Sequence, residues 1–439
     1  MTERAGIALR TLGCKVNQAE TDAFAAVLEG SGCRVVPEDA CAVVVINTCT
    51  VTGEADHKAR KAIRRALALP GAPTVVVTGC LATIDPAGVA SLGERVVVEP
   101  DKSRVPEVAA ALAGSAAQAP GGAGASTIAR DVDAPPRAPA ATPGRTRSRV
   151  QVKVQDGCDT RCRYCIVPDA RGIPRSVPSD DVVSAVARLA AEGVAEVVLT
   201  GINIGRYRDG DVRLPGLVAR VAATGVPRLR ISSVEPRDVT SELLEVMAST
   251  PSVCGHLHVP LQSGCDRTLA AMGRPYDTAT FATTLASVRE ALPGVALCTD
   301  VIVGFPGETD ADHEASLAFI SGAGFARLHV FRYSARAGTP AAGMAGQVPM
   351  PVRSERAAAM REAGEAGALR FSGSLVGRDV ELLVERVDAA REGRPPLAEG
   401  VTREYVRMRV EAPAAVPGAL LAVCVTGVAP DGTVTGTVA

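Results

Sequence analysis

The chain has 439 residues, of which 47% are hydrophobic and only 3% aromatic, and a formal net charge of -1. Its length predicts two or three domains. It has no run of about 18 apolar residues, and its start, MTERAGIALR, is polar, so we expect a cytoplasmic protein without a membrane span. In such a protein, 12 cysteines indicate metal or redox chemistry rather than disulfide bonds.

Short β-rich runs alternate with helical stretches over residues 1–113. This alternation predicts an N-terminal α/β domain with a parallel sheet flanked by helices. Residues 114–146 are rich in Ala, Pro and Gly and show little apolar periodicity, which is typical of a linker. We therefore expect the linker to separate the N-terminal domain from the rest of the chain.

The alternation resumes over residues 147–372, which we expect to form a partial or complete α/β barrel. Its strands are predicted at 150–154, 196–200, 228–232, 256–260, 297–303 and 325–331. A helix is predicted at 352–372. The tail, residues 373–439, changes to short β runs and predicts a small antiparallel β-barrel.

Three cysteines of the N-terminal domain directly follow predicted strands. Cys14 follows IALRTL, Cys49 follows VVVIN, and Cys80 follows VVVTG. Because ligands bind at the carboxyl ends of parallel strands, we expect these three thiols to meet at one edge of the sheet. Cys33 and Cys41 stand where strands begin, so we expect them to be small buried core residues.

The central domain carries a compact cysteine loop after its first predicted strand. Cys158, Cys162 and Cys165 have the spacing C-x3-C-x2-C. A structural zinc site would need a fourth ligand, and no further Cys or His stands nearby. Three thiolates on a four-iron cluster leave one iron open, so the spacing predicts a reactive iron–sulfur centre.

Basic residues lie beside both groups of cysteines, at 58–65, 145–149, Arg161, Arg163, Arg171 and Arg175. Each run alone is typical of a solvated helix face or a linker, but its position beside the cysteines indicates a polyanionic partner.

Two histidines and four further cysteines remain. His256 and His258 alternate in one predicted strand and therefore share a face of the barrel. They could ligate a metal, but polar packing is the simpler interpretation. Three of the four remaining cysteines are expected in the core: Cys254, Cys298 and Cys424.

The cysteine loop, with Tyr164 before its last cysteine, resembles that of the radical S-adenosylmethionine (SAM) enzymes. In that superfamily SAM binds the open iron and is split, on reduction, to methionine and a 5′-deoxyadenosyl radical. A narrower resemblance, to the methylthiotransferases, covers nearly the whole chain. It is carried by TLGCKVNQAET, NTCTVT, TGCLA, YCIVPDARGIPRS, LTGINIG, SSVEP, LQSGCD, GFPGET and YSARAGTPAA.

The resemblance implies two [4Fe-4S] clusters and a SAM pocket. The first cluster would be held by Cys158, Cys162 and Cys165. The second, which would carry the sulfur to be transferred, would be held by Cys14, Cys49 and Cys80. Gly201 and Asn203 would contact the SAM amino group. The ribose would lie near Ser233, Glu235 and Gln262, and the adenine near Tyr164, Ile302, Gly304 and Gly307.

The form GCKVNQ resembles the branch that acts on N6-threonylcarbamoyladenosine beside the tRNA anticodon. We therefore expect a monomeric enzyme that adds a methylthio group at carbon 2 of this base, with the tRNA anticodon loop as substrate and a flavodoxin or ferredoxin as electron donor. In the family the C-terminal β-barrel is an RNA-binding module called TRAM. The alternatives are a sister enzyme acting on isopentenyladenosine or on an aspartate of ribosomal protein S12, and a non-catalytic iron–sulfur RNA-binding or electron-transfer protein.

Overall fold

The computed structural model of the chain describes residues 6–116, 148–389 and 395–439. The predicted linker lies outside these ranges except for residues 114–116, which end the helix Val105–Ala116. Each helix in the described ranges is either too short or too polar to traverse a lipid bilayer.

The N-terminal domain is built on a parallel sheet in the order β1-β2-β3-β4. Its strands are β1 (Ile7–Thr11), β2 (Val43–Thr48), β3 (Thr74–Gly79) and β4 (Val96–Val98). Its helices are α1 (Lys15–Gly30), α2 (Gly53–Leu67), α3 (Cys80–Ile84), α4 (Pro86–Ala90) and α5 (Val105–Ala116). Every residue of β2 is buried, which explains its run of apolar and mostly β-branched residues, because helices cover both faces of the sheet.

The central domain contains two three-stranded parallel sheets, which meet between Leu229 and Val253 and together form a six-stranded partial barrel. Its principal strands are β5 (Arg149–Lys153), β8 (Glu196–Thr200), β11 (Arg228–Ile231), β12 (His256–His258), β13 (Ala296–Val303) and β14 (Arg327–Arg332). Short ladders join β6 (Gln155–Asp156) to β7 (Arg175–Ser176) and β9 (Arg208–Asp209) to β10 (Val212–Arg213). All six predicted strands are confirmed, with ends displaced by up to two residues.

The helices of this domain are α6 (Val167–Arg171), α7 (Ser179–Ala191), α8 (Leu214–Ala222), α9 (Ser241–Ser249), α10 (Asp266–Met272), α11 (Thr278–Ala291), α12 (Asp310–Ala323) and α13 (Met350–Gly373). All of them except α6 and α10 pack their buried residues against the outer face of the barrel. The last of these helices, α13, confirms the helix predicted at 352–372. Within the described ranges β5 and β14 do not pair, and α1 of the N-terminal domain packs against β5.

Alternation along the strands separates an apolar outer face of the barrel from a polar interior. On β13, Leu297 and Val301 join the core beneath the helices. Cys298, Asp300 and Ile302 alternate with them and therefore face inward. The same alternation directs His256 and His258 inward, where both are buried. The interior is thus lined by polar groups directly below the carboxyl ends of the strands.

The C-terminal domain is a closed β-barrel in the order β15-β16-β17-β19-β18. Its strands are β15 (Asp379–Asp388), β16 (Leu397–Thr402), β17 (Arg407–Glu411), β18 (Leu420–Val428) and β19 (Val434–Val438). The pairing of β17 with β19 is parallel and all other pairs are antiparallel. The mixed α/β fold with its terminal barrel is therefore confirmed.

Four of the five cysteines expected in the core are buried there: Cys33, Cys41, Cys254 and Cys298. The prediction for Cys424 was wrong, because it lies on β18 and is only half-buried. It alternates with Val423 and Val425, which fill the small barrel, so its own side chain faces outward.

The turn between β16 and β17 closes the floor of the central barrel. Tyr405 adopts a left-handed conformation, with φ of 66°. Its ring lies 4.7 Å from the Arg230 guanidinium and 5.1 Å from the His256 ring centroid. The Arg228 guanidinium donates a hydrogen bond of 2.9 Å to the Thr402 carbonyl. The C-terminal barrel is therefore joined to the central barrel through buried polar contacts.

Candidate functional site

The central cysteine loop lies between β6 and α6 and is held in place by backbone hydrogen bonds. The Cys158 amide donates to the Gly172 carbonyl over 3.0 Å, and the Arg163 amide donates to the Met272 carbonyl over 2.9 Å. Gly157 has φ of 74°, and a Cβ there would collide with the Ile173 carbonyl. The loop needs glycine at this position to turn from the strand toward its cysteines.

Two of the three cysteine sulfurs in this loop accept hydrogen bonds from polar groups. The Arg274 guanidinium donates to Cys162 Sγ over 3.1 Å. Cys158 Sγ accepts from the Thr160 amide at 3.4 Å and from Asn203 Nδ2 at 3.7 Å. Burial raises the pKa of the Cys165 thiol to about 12, and the nearby charges of Cys162 and Cys158 act in the same direction. Thiols in such surroundings need a compensating positive charge to become thiolates, and bound iron would supply it.

An apolar pocket adjoins the cysteine loop. Tyr164 and Ile302 both pack against the buried cluster that contains Phe305 and Tyr333. Burial raises the pKa of Tyr164 well above its ordinary value, so its hydroxyl stays protonated. The structure therefore brings together two of the residues expected at the SAM adenine.

Glu235, expected at the SAM ribose, forms a close ion pair with Arg274. Arg274 also donates to Tyr276 Oη over 2.9 Å, and it is almost fully buried. One guanidinium therefore connects the proposed ribose site to Cys162. The sequence analysis missed Arg274, and its only sequence signal is the short GRPY stretch after α10.

Gly201 and Asn203, both expected near the SAM amino group, contact the same side chain, that of Gln155. Gln155 Oε1 accepts from the Asn203 amide at 2.8 Å, and a Cβ on Gly201 would press against the same Gln155 side chain. Asn203 Oδ1 and Ser232 Oγ are buried and lack hydrogen-bond partners among the described residues. Such groups mark a place where a polar ligand is accommodated. Ser233, expected at the ribose, is exposed at the end of β11.

The remaining predicted pocket residues occupy turns with left-handed backbone conformations. Gln262 has φ of 72°, and its amide donates to the Asp300 carbonyl over 2.8 Å. Gly304 and Gly307 have φ of 70° and 80°. The Gly304 amide donates to Glu308 Oε1 over 3.0 Å, which fixes this loop above β13. Together these turns place the loop that follows β13 at the mouth of the barrel.

The N-terminal cysteines gather at one edge of their sheet. Cys49 follows β2 directly, Cys80 begins α3 directly after β3, and Cys14 precedes α1. A Cβ on Gly13 would collide with Cys49, and a Cβ on Gly79 would collide with the Thr48 carbonyl. Both glycines have positive φ, 106° and 90°, so close approach and backbone conformation each require glycine.

The electrostatics of this second group resemble those of the first. Burial raises the pKa of the Cys49 thiol to about 11, with the charges of Cys80 and Cys14 acting in the same direction. Cys14 Sγ donates to Asn17 Oδ1 over 3.4 Å, and Asn17 also accepts from Arg171 over 2.7 Å. These cysteines offer three sulfur ligands and an adjacent cation. That donor set suits an anionic iron–sulfur cluster.

Arg171 does not lie on a basic surface, contrary to its inclusion among the residues expected to face a polyanion. It is buried and donates to Glu20 over 2.8 Å and to Asp156 over 3.0 Å. Lys153 donates to the same two carboxylates over 2.8 Å. Glu20 belongs to the N-terminal domain and the other three residues to the central domain. We call this group of Glu20, Asp156, Lys153 and Arg171 the buried ionic joint, because its ion pairs fix one domain against the other.

A cleft of about 890 Å³ opens between Cys49, one of the three N-terminal cysteines, and the end of β14 in the central domain. It is lined on one side by Gly13, Cys49 and Lys58 and on the other by β14 and α13, including Phe331, Arg332, Arg353 and Arg361. Phe331 is 42% exposed, so an aromatic face and several cations border the same space. This combination suits a single-stranded nucleic acid, whose bases stack and whose phosphates need cations.

Comparisons with known proteins first define the class. Residues 152–320 match the Radical SAM superfamily, and residues 6–98 match a group described as "Uncharacterized protein family UPF0004". The fold agrees: it aligns with the radical SAM methyltransferase TsrM from Kitasatospora setae at a TM-score of 0.55 and 16% identity, over 78% of this chain and 74% of that one. The α/β barrel and its three-cysteine loop are therefore those of a radical SAM enzyme.

Similarity to curated proteins narrows the class. The chain is 35% identical to the threonylcarbamoyladenosine tRNA methylthiotransferase MtaB of Bacillus subtilis, over 92% of this chain and 90% of the relative. It is 36% identical to the tRNA-2-methylthio-N(6)-dimethylallyladenosine synthase of Mycolicibacterium paratuberculosis, over 96% and 84%. The MtaB protein of Thermotoga maritima is 32% identical over 86% of each chain. This chain belongs to the radical SAM tRNA methylthiotransferase family.

Proposed function

We propose that the protein converts N6-threonylcarbamoyladenosine at position 37 of tRNA to its 2-methylthio derivative. The observation that carries this proposal is the presence of two groups of three cysteines, each at the carboxyl ends of parallel strands, together with the GCKVNQ form of the first cysteine motif. Two groups of three thiols match a reaction that needs one site for SAM and another for sulfur. The basic cleft beside Cys49 would give a base access to the N-terminal group.

Cys158, Cys162 and Cys165 would hold the first [4Fe-4S] cluster, and Cys14, Cys49 and Cys80 the second. When bound, the two clusters and SAM supply the radical, the sulfur and the methyl group. Such chemistry is required because carbon 2 of adenine carries a hydrogen that no side-chain base can remove at neutral pH. The contribution of the protein is to bind, orient and exclude water.

The SAM pocket residues have distinct tasks in this proposal. Glu235 would accept hydrogen bonds from the ribose hydroxyls while Arg274 fixes its orientation against Cys162. Tyr164 and Ile302 would cover the adenine and exclude water from it. Gly201, Asn203, Ser233, Gln262, Gly304 and Gly307 would complete the pocket at the strand ends.

The RNA would reach the cleft as an anticodon loop, whose unpaired bases can leave the stack at low cost. Arg332, Arg361 and Lys58 at the rim would contact its phosphates, and the exposed ring of Phe331 would support a base. We further propose that the C-terminal barrel is a TRAM-type RNA-binding domain. Arg407 on its surface is exposed and available to phosphates, whereas Arg386 is exposed but paired with Glu399 and Asp388.

Electron delivery requires a partner that approaches the first cysteine group. Arg161 and Arg163 flank Cys162 and are exposed, with the Arg161 side chain 79% exposed. A basic face beside the proposed cluster suits an acidic carrier such as a flavodoxin or ferredoxin. In this proposal the enzyme works as a monomer.

A second substrate, the isopentenylated or dimethylallylated adenosine, is favoured by the similarity to the dimethylallyladenosine synthase. The two candidates differ in chemistry at one substituent, since the threonylcarbamoyl group ends in a carboxylate and the dimethylallyl group is apolar. They are therefore distinguishable by the nucleoside that accumulates without the enzyme.

The test is mass spectrometry of tRNA nucleosides from a strain that lacks the gene, complemented by wild type or by Cys14→Ala. We expect the methylthio group to be missing from threonylcarbamoyladenosine and to return only with wild type. Cys33→Ala, which alters a buried core cysteine away from the site, is the matched control and should restore the modification. Loss of the methylthio group from dimethylallyladenosine instead would assign the second substrate, and an unchanged profile would redirect the search to ribosomal protein S12.

A further inference from the structure

The floor of the central barrel collects positive charge around one aromatic ring. Four cationic groups lie over the Tyr405 ring: Arg230 at 4.7 Å, Arg149 at 5.1 Å, Lys15 at 5.5 Å and Arg327 at 5.7 Å from its centroid. We call these four cations, the Tyr405 ring and His256 together the floor chamber. Lys15 enters it from α1 of the N-terminal domain, and Tyr405 enters it from the C-terminal barrel.

Only some of these cations have acidic partners. Arg230 pairs with Glu196 at 2.8 Å, and Arg149 pairs with Glu385 at 2.8 Å. Within residues 6–116, 148–389 and 395–439, neither Lys15 nor Arg327 forms an ion pair. The Tyr405 ring attracts cations through its quadrupole but carries no net charge. The charge of Lys15, which is half-buried, is therefore left without a compensating anion, whereas Arg327 is exposed and its charge is solvated.

A buried polar atom in the same chamber also lacks a partner. His256 is 2% exposed, and its Nδ1 has no hydrogen-bond partner in the described part of the chain. A buried nitrogen of this kind costs free energy unless a ligand or water satisfies it. His256 therefore provides a second, independent indication that a polar ligand enters the chamber.

Above the chamber lies a layer of three possible metal ligands, His258, Asp300 and His329. Their charges do not favour a metal ion as the ligand of the chamber. Asp300 Oδ1 lies 3.1 Å from His258 Nε2 and 3.0 Å from His329 Nδ1, and these atoms could ligate a cation. However, Asp300 is their one carboxylate, and a divalent ion would add charge next to cations that already repel one another. The local field favours an anion.

Strand geometry gives the depth of the chamber below the proposed SAM pocket. Ile302, proposed to cover the SAM adenine, is two residues above Asp300 on β13, a rise of about 6.6 Å. Cys298 is two residues further down and is level with Arg327, about 13 Å below Ile302. His329, in the layer between, has 41% of its side chain exposed, so solvent reaches the barrel interior at that level.

We infer that the floor chamber binds the carboxylate of the threonylcarbamoyl substituent, with Lys15 as its ion-pair partner and Arg327 and His256 as further contacts. This inference rests on the proposed function and names the residues that select its substrate. The carboxylate would neutralise the unpaired cations, whereas a dimethylallyl group would leave them uncompensated. Lys15 is therefore assigned as a specificity-determining residue.

The test compares binding of two anticodon stem-loop RNAs that differ only at the substituent of the target adenosine. One carries threonylcarbamoyl with its free carboxylate, and the other carries the neutral carboxamide. We expect wild-type protein, with both clusters reconstituted, to bind the carboxylate RNA roughly tenfold more tightly. Lys15→Met should reduce this ratio to about one, because it keeps the chain length but removes the charge, and Lys15→Arg should retain most of it.

Lys61→Met is the matched control, since Lys61 is an exposed cation on α2 and should affect both RNAs equally. A Lys15→Met variant that keeps the wild-type ratio would overturn the inference. So would an equal loss of affinity for both RNAs, which would assign Lys15 to a backbone phosphate. The proposed function fails separately, if wild type does not methylthiolate the carboxylate RNA.

Discussion

At the scale of single residues, Arg274 connects three groups of the proposed SAM pocket. It contacts Cys162 Sγ, Glu235 and Tyr276 from a buried position. A planar guanidinium can donate to several acceptors at once, whereas an ammonium is a compact point charge. Arg274 therefore sets the relative position of a cluster ligand and the residue proposed to hold the ribose.

We predict that Arg274→Lys weakens SAM binding by about 1.5–3 kcal/mol, the range for a hydrogen bond to a charged group. Equilibrium dialysis of SAM against reconstituted protein measures this loss. Arg163→Lys is the control, because Arg163 lies in the same loop but is exposed. Unchanged SAM affinity in Arg274→Lys would show that the bridge to Glu235 has no role in the pocket.

At the scale of elements, strand ends determine where the cysteines lie. Cys49 and Cys80 directly follow β2 and β3, so counting residues past each β-rich run was enough to group them. Arg274 could not be found in this way, because it lies 112 residues from Cys162. Arg171 was misinterpreted for a related reason: its charge is visible in the sequence, but its burial against Glu20 depends on how two domains pack.

The turns next to these cysteines yield a second prediction. Gly79→Ala should displace α3 and Cys80, since the new Cβ would collide with the Thr48 carbonyl and φ is 90°. We expect the variant to retain about half of the iron of reconstituted wild type, because only one group of three cysteines remains intact. Iron analysis and the iron–sulfur absorbance measure this.

The control for that experiment is Gly32→Ala. Gly32 also has a positive φ, 78°, but open space where the Cβ would stand. It is next to Cys33 but distant in sequence from Cys14, Cys49 and Cys80, the proposed cluster ligands, so the variant should bear a similar backbone strain and keep full iron content. Equal iron loss in both variants would mean that general destabilisation, not misplacement of Cys80, is responsible.

At the scale of the whole molecule, the buried ionic joint holds the two cysteine groups in a fixed relation. Burial opposes ionisation of Glu20, but the charges of Arg171, Lys102 and Lys153 hold its pKa well below the ordinary value. A carboxyl group whose folded pKa is depressed stabilises the protein above its unfolded pKa of about 4.3. That contribution is lost as the pH falls from there through the folded value.

We therefore predict that Glu20→Gln destabilises the protein at pH 7 by about 3–5 kcal/mol, because it leaves buried cations without their partner. The difference from wild type should shrink when both are unfolded below about pH 4. Denaturant unfolding at the two pH values measures it. Glu54→Gln, at an exposed helix pair with Lys58, should cost little at either pH.

Tyr405 gives the C-terminal barrel a second role besides its proposed contact with RNA. Its ring and the Thr402 carbonyl occupy the floor of the central barrel. A shortened chain ending near residue 373 would lack both residues, and the floor of the central barrel would be open. Bulk water could then enter through the floor and reach the space where the radical is expected to form. Inactivity of such a truncated chain would thus combine the loss of RNA contacts with the loss of the barrel floor. Comparison with Tyr405→Ala in the intact chain, which removes only the ring from the floor, would separate the two.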